Sequence, residues 1–122
     1  MENAADIKPK KVIDVEFLRS IIENDFEFEK ELFAIFINNA NRNIEKMEHA
    51  IRHSGDNSWY MAAHTFKGAS SSIGAFELSK ILEYAQKHPE ENYEQKTELL
   101  KKIKQELQLV MDFISEELLE KR

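Results

Sequence analysis

One histidine, one lysine and one glycine sit close enough in the chain to act on a common group: His64, Lys67 and Gly68, at positions i, i+3 and i+4. Residues with that spacing are neighbours on a helix surface. Wound at about 100° per residue, Tyr60, His64, Lys67, Gly68 and Ser71 share one face, opposite a buried stripe of Trp59, Ala62, Phe66, Ala69 and Ile73. A free imidazole is substantially neutral at cellular pH and therefore a competent nucleophile. A lysine one turn away can neutralise incoming phosphoryl oxygens, the main electrostatic demand of phosphoryl transfer. Gly68 is costly in mid-helix, by about 1 kcal/mol against alanine. Either its bareness clears space beside the imidazole, or another helix packs closely on it.

Gln86 joins this group by height. From His64 to the turn at Gly74 the chain climbs about 15 Å, and from Phe76 to Gln86 it descends about 15 Å. A glutamine carbonyl at that level could accept the Nδ1 proton and leave the Nε2 lone pair free. A carboxylate there would instead stabilise the imidazolium. The alternative is an exposed side chain that makes no bond.

The elements that must position these residues read as helices almost throughout. A short helix is expected from Asp14, its cap, to about Asn24, with Phe17, Leu18, Ile21 and Ile22 as its apolar stripe. A long one follows from about Glu27 to His53, with Leu32, Phe36, Ala40, Ile44, Met47 and Ile51 inward. Ser54-Gly55-Asp56-Asn57 supplies a stop and a new cap, and the third helix runs from about Ser58 to Ile73 until Gly74 ends it. The fourth spans Ala75 to about Lys87, with Phe76, Leu78, Ile81, Leu82 and Ala85 inward, and closes at His88-Pro89. The last covers roughly Tyr93 to Leu119, with Leu99, Leu100, Ile103, Leu107, Val110, Phe113 and Ile114 on one side. Glu90, Glu91 and Glu94 form a solvated entry whose charges suit that helix's N-terminus. The expected fold class is all-α: an antiparallel up-down-up-down four-helix bundle with the short first helix as a lid. Residues 1–12 read as a flexible tail and 13–122 as one domain.

Composition narrows the function. Seventeen Lys and Arg stand against 23 Asp and Glu, a net charge of −6. That balance argues against nucleic acid or anionic lipid as the main partner. The chain has no cysteine, which excludes disulfides and thiolate metal sites. No apolar run approaches the ~20 residues of a membrane span. The opening residues lack a signal pattern, so the expected location is cytoplasmic. Met1 and the polar tail favour a free-standing module over a piece of a longer chain.

The run Ala63-His64-Thr65-Phe66-Lys67-Gly68-Ala69-Ser70-Ser71-Ser72-Ile73-Gly74-Ala75 closely resembles the signature of histidine phosphotransfer (HPt) domains. Their pattern is His, two residues, Lys, Gly, small residues, then an aliphatic residue and Gly. The resemblance extends from about Ile13 to Leu119. It implies phosphorylation of His64 on Nε2, assistance by Lys67, access over Gly68 and orientation of the ring through Nδ1 by Gln86. It implies response-regulator receiver domains or a hybrid sensor histidine kinase as partners, a monomer, and no cofactor of its own, since the receiver brings Mg²⁺. The glycine-aspartate pair often found between the first two helices of the family appears here as Asn24-Asp25, which puts partner identity in question.

A carrier rather than an autokinase is expected, because the three glycines form no phosphate-binding loop. A sensor kinase usually has an acidic residue after its histidine and a proline soon after; here Thr65 follows, and no proline occurs before Pro89. Candidate docking residues around the polar centre are Tyr60, Ser71, Phe17, Leu18, Phe33 and Ile37, the last four being equally suited to a core. Two other functions compete. Glu45, His49 and His53 share a helix face and could hold a metal, although a polar face near a helix end fits ordinary surface histidines. The other rival is an adaptor that docks receivers without carrying phosphate, against which both His64 and Lys67 speak.

Overall fold

The computed structural model describes residues 12–23 and 25–119. The tail expected over 1–12 lies, except for Val12, outside the described residues, and Val12 itself is partly buried against the core. Five α-helices follow one another: α1 (Val15–Ile22), α2 (Phe26–Arg52), α3 (Asp56–Ser72), α4 (Phe76–Lys87) and α5 (Tyr93–Phe113). A π-helical turn over Ile114–Leu119 extends α5, where a plain α-helix was expected. There is no strand among the described residues.

Helix ends follow from local chemistry. Asp14 caps α1 as expected, its Oδ1 accepting from the Phe17 N–H at 3.1 Å, and Asp25 caps α2 in the same way at 3.0 Å. Asn92 and Gln95 form a reciprocal capping box at the start of α5, which satisfies two otherwise orphaned donors. The end of α2 differs from expectation. Ser54, not Gly55, takes the left-handed conformation (φ 53°), and the Gly55 N–H reaches back to the Ala50 carbonyl. No side chain caps α3, which starts two residues earlier than predicted, at Asp56. The Asp56 carboxylate is engaged elsewhere, 2.9 Å from Lys96 Nζ on α5.

Gly74 does end α3, at φ +81°. The Ala75 N–H returns to the Ser70 carbonyl, the closing bond of a Schellman turn. The Gly74 carbonyl accepts from the Asp14 N–H at 2.9 Å. A Cβ at Gly74 would lie 3.0 Å from the Asp14 carbonyl oxygen and 3.2 Å from the Phe17 ring. One glycine thus makes the turn and seats α1 on it.

The core runs through all five helices, with Trp59, Phe33, Phe66, Met47, Leu78, Leu82, Ile103 and Val110 fully or almost fully buried. Trp59 Nε1 donates to the Ala85 carbonyl, while Ser71 and Ser79 share a hydrogen bond at 2.7 Å. The start of α3 therefore meets the end of α4, and these two helices run antiparallel. The predicted stripes need rotation in places. In α1 only Leu18 and Ile22 are buried, while Phe17 and Ile21 are exposed. In α2, Phe33, Asn43 and Ala50 join Phe36, Ala40 and Met47 inside, while Leu32, Ile44 and Ile51 stay half-buried. Phe76 is exposed, its ring packed edge-on against Phe17 at 5.1 Å between centroids.

Candidate functional site

The α3 surface bears the candidate residues in the expected arrangement. His64 and Gly68 are exposed and Lys67 is half-buried. A Cβ built on Gly68 meets no heavy atom within 4 Å. That result decides between the two readings of this glycine: among the described residues no helix packs against it, and its open side faces outward. Tyr60, one turn before His64, lies parallel to the imidazole, with 6.1 Å between ring centroids and 3° between planes.

The three serines that weaken the end of α3 satisfy their hydroxyls locally. Ser70 Oγ donates to the Phe66 carbonyl and Ser72 Oγ to that of Ala69, the back-bonding available to short hydroxylic side chains. Ser71 instead bonds across to Ser79. Ser79 escaped sequence reasoning, although it marks the register between the helices. His64 precedes Ser71 by seven residues and Gln86 follows Ser79 by seven, which is two turns in each helix. The antiparallel seam that joins Ser71 to Ser79 therefore brings His64 and Gln86 to one level about 10 Å away.

The bond expected between them is not made. Gln86 is half-buried and its Oε1 is wholly enclosed without a hydrogen-bond partner. A buried carbonyl oxygen in that state carries a desolvation cost of about 1–3 kcal/mol. The sequence placed this acceptor at the right height but not its rotamer, which depends on how α4 is turned against α3.

Of the docking candidates, Phe17 and Tyr60 are exposed and Ile37 and Ser71 half-buried. Leu18 and Phe33 are not available to a partner: they are 1% and 2% exposed and belong to the core. Each lies one position from an exposed aromatic or apolar residue on its helix, so a small rotation of the stripe reverses its role. Exposed Ile21, Phe28, Ile35 and Met61 were not anticipated.

The rival metal cluster does not assemble. His49 and His53 lie with 4.2 Å between ring centroids, tilted by 34°, yet no group of three or more His, Asp or Glu side chains that could hold a metal occurs among the described residues. Two polar clusters elsewhere were missed. Lys96, buried in α5, lies 5.3 Å over the Trp59 ring while bonding Asp56. Tyr84 stacks on His88 at 4.0 Å and donates to Glu91 at 2.9 Å, clipping the end of α4 to the following loop. That bond to Glu91, with burial and the charges of Glu91 and Glu90, raises the Tyr84 pKa. Among the described residues, no helix is long and apolar enough to cross a membrane.

Fold and site together define a helical module that offers one accessible histidine on a helix face, framed by a lysine and an open glycine. Comparison with known proteins gives that class its family. The family model described as "Hpt domain" matches residues 31–112, and the chain belongs to the HPt domain family of two-component phosphorelays. The fold is also that of the histidine-containing phosphotransfer protein B from Pseudomonas aeruginosa, whose crystal structure superposes with a TM-score of 0.80 at 20% identity, covering 89% of this chain and 96% of that one. No curated protein sequence gives a significant match.

Proposed function

We propose that this chain is a phosphoryl carrier, accepting the group on His64 from one receiver-domain aspartate and passing it to another. One observation carries the reading: an exposed imidazole beside Lys67 and the open side of Gly68, within the region matched by the HPt model. The His64 Nε2 lone pair attacks the phosphorus of an aspartyl phosphate in line. The bond from phosphorus to the aspartate oxygen breaks, the carboxylate leaves, and a phosphoramidate forms on Nε2. The reverse reaction delivers the group to a second receiver. Lys67 offsets charge on the phosphoryl oxygens, and the receiver supplies Mg²⁺ and most of the stabilisation. This chain needs no cofactor and has no kinase activity of its own.

Gln86 accepts a hydrogen bond from the Nδ1–H of His64. Its enclosed Oε1 has no other partner, and a side-chain rotation toward His64 would exchange an unsatisfied acceptor for a bond that holds the ring. The domain spans 13–122 and works as a cytoplasmic monomer. In it, α2 to α5 run up-down-up-down and α1 lies as a lid over the turn between α3 and α4. Supporting that topology are the antiparallel α3–α4 seam, the ion pair from the end of α2 to α5 between Glu48 and Lys104, and the seat of α1 on Gly74.

The decisive experiment incubates the protein with phosphorylated candidate receivers. Acid-labile, base-stable phosphate is expected on His64 and absent from His64→Gln. Failure with every receiver overturns the reading, and efficient self-labelling from ATP overturns the carrier without a kinase. An adaptor would keep receiver binding and pathway output in His64→Gln, whereas a relay loses output.

A further inference from the structure

Five of the basic residues gather around α2. Three surface grooves adjoin on α2: one against α3, one across its outer face and one against α5. The first two share Lys46 and His49, and the second and third share Glu48 and Arg52. Through these shared residues they form a belt of adjoining grooves, which begins at Met61 and Thr65, sequence neighbours of His64, and wraps around α2 as far as Lys101 and Lys104. Five Lys or Arg line it against two Glu, in a chain where acids outnumber bases 23 to 17. Glu48 is bonded to Lys104 at 2.6 Å. Among the described residues, Arg42, Lys46, Arg52 and Lys101 form no ion pair. By contrast, the groove between α4 and α5 is lined by Glu91 and Glu98 against a single base, Lys102.

We propose that this belt is a docking surface for a carboxylate-rich protein surface, belonging to the partner that reaches His64. It deepens the carrier reading and rests on it for the partner being a receiver. Unpaired cations along a belt of adjoining grooves attract an acidic partner over distances of a Debye length and orient it before contact. The belt's origin at Thr65 sets that orientation, because a partner aligned on it arrives with one edge over the imidazole. A folded protein fits better than a polyphosphate. Glu45 and Glu48 interrupt the positive charge, and the partly apolar floor at Ile51, Leu100 and Met61 can meet side chains. A nucleic acid backbone carries negative charge alone, whereas a protein can set a basic or neutral side chain against Glu45.

The test uses the whole chain in two arms. In the first, nitrogen-15-labelled protein is titrated with a glutamate-rich decapeptide at low salt, with a lysine-rich decapeptide as control. Amide shifts are expected over 42–53, 57–65 and 97–105, lost in about 0.5 M salt and lost in the Arg42→Glu/Lys46→Glu variant. Shifts scattered over the surface, or equal shifts with the lysine peptide, overturn the proposal. So does tighter binding to duplex DNA or to vesicles of phosphatidylserine, or self-association that scatters light and vanishes in the same variant. In the second arm, phosphoryl transfer is timed from a phosphorylated receiver that serves the wild-type protein. The double reversal should lower the second-order rate constant about tenfold while the rate at saturating receiver stays unchanged. An unchanged second-order constant overturns the role in docking. Should the wild-type protein accept nothing from any receiver, the carrier reading falls, and the peptide titration still decides the belt.

Discussion

Gly68 separates folding from function by the sign of two effects. Alanine at this position gains helix propensity of about 1 kcal/mol. Nothing in the structure opposes that gain, since the added Cβ meets no atom within 4 Å. The expected result is a more stable protein, with a melting temperature higher by about 4 °C for a domain of this size. Transfer should move the other way. If a receiver closes over this face to bring its aspartate to His64, the methyl group intrudes into a fitted contact, and overpacking of that kind costs about 1–3 kcal/mol. The second-order rate constant for transfer should fall roughly tenfold, and Gly68→Gln should lower it further while remaining folded. The assays are a thermal melt and the decay of a phosphorylated receiver mixed with each variant. A destabilised Gly68→Ala protein would show that the position is packed rather than open. Undiminished transfer in Gly68→Gln would show that no partner approaches there.

Lys96 is buried while Asp56 is mostly exposed, so Asp56→Ala should cost about 1–2 kcal/mol by leaving an ammonium unpaired, and Lys96→Met should cost less; urea melts followed by the single tryptophan, Trp59, compare them. Gly74→Ala meets both a left-handed backbone and the Asp14 carbonyl, and should lose about 2 kcal/mol by the same melts. Gln86→Leu removes a buried, unsatisfied oxygen and should leave stability unchanged or raise it by about 1 kcal/mol, yet slow transfer; equal transfer would remove Gln86 from the mechanism. Tyr84, whose pKa is raised chiefly by its bond to Glu91, contributes stability that is present below pH 10 and lost as pH rises through its higher folded value. Ultraviolet titration should therefore show a late-ionising tyrosine that is absent from Tyr84→Phe.

The helices were legible because each repeats apolar residues every three or four positions, and because Asp14, Gly74 and Pro89 punctuate them. Legibility stopped where a decision rests on rotation. Phe17 and Leu18 are adjacent and both apolar, and which one faces inward depends on how Gly74 seats α1, a contact remote in sequence. The long α2 shows the same shift, with Phe33 and Ala50 buried at the expense of Leu32 and Ile51. Asp56 reads locally as a helix cap, but its strongest partner, Lys96, lies 40 positions away. No local pattern announces such a pair.

The two glycines of the α3 region show what residue type alone leaves open. Both fall in a motif and both are costly to a helix. Gly74 is required by the fold, because a left-handed turn and a carbonyl 3.0 Å from its missing Cβ exclude any side chain. Gly68 is required by nothing among the described residues, since a Cβ there meets none of their atoms within 4 Å and alanine would strengthen the helix. A residue that the fold would gain by replacing is best explained by something outside the fold. At Gly68 that something has to approach from the His64 face, and the belt that starts at Thr65 tells from which side. Local cost and empty space, taken together, therefore point to a partner more directly than either His64 or the glycine does alone.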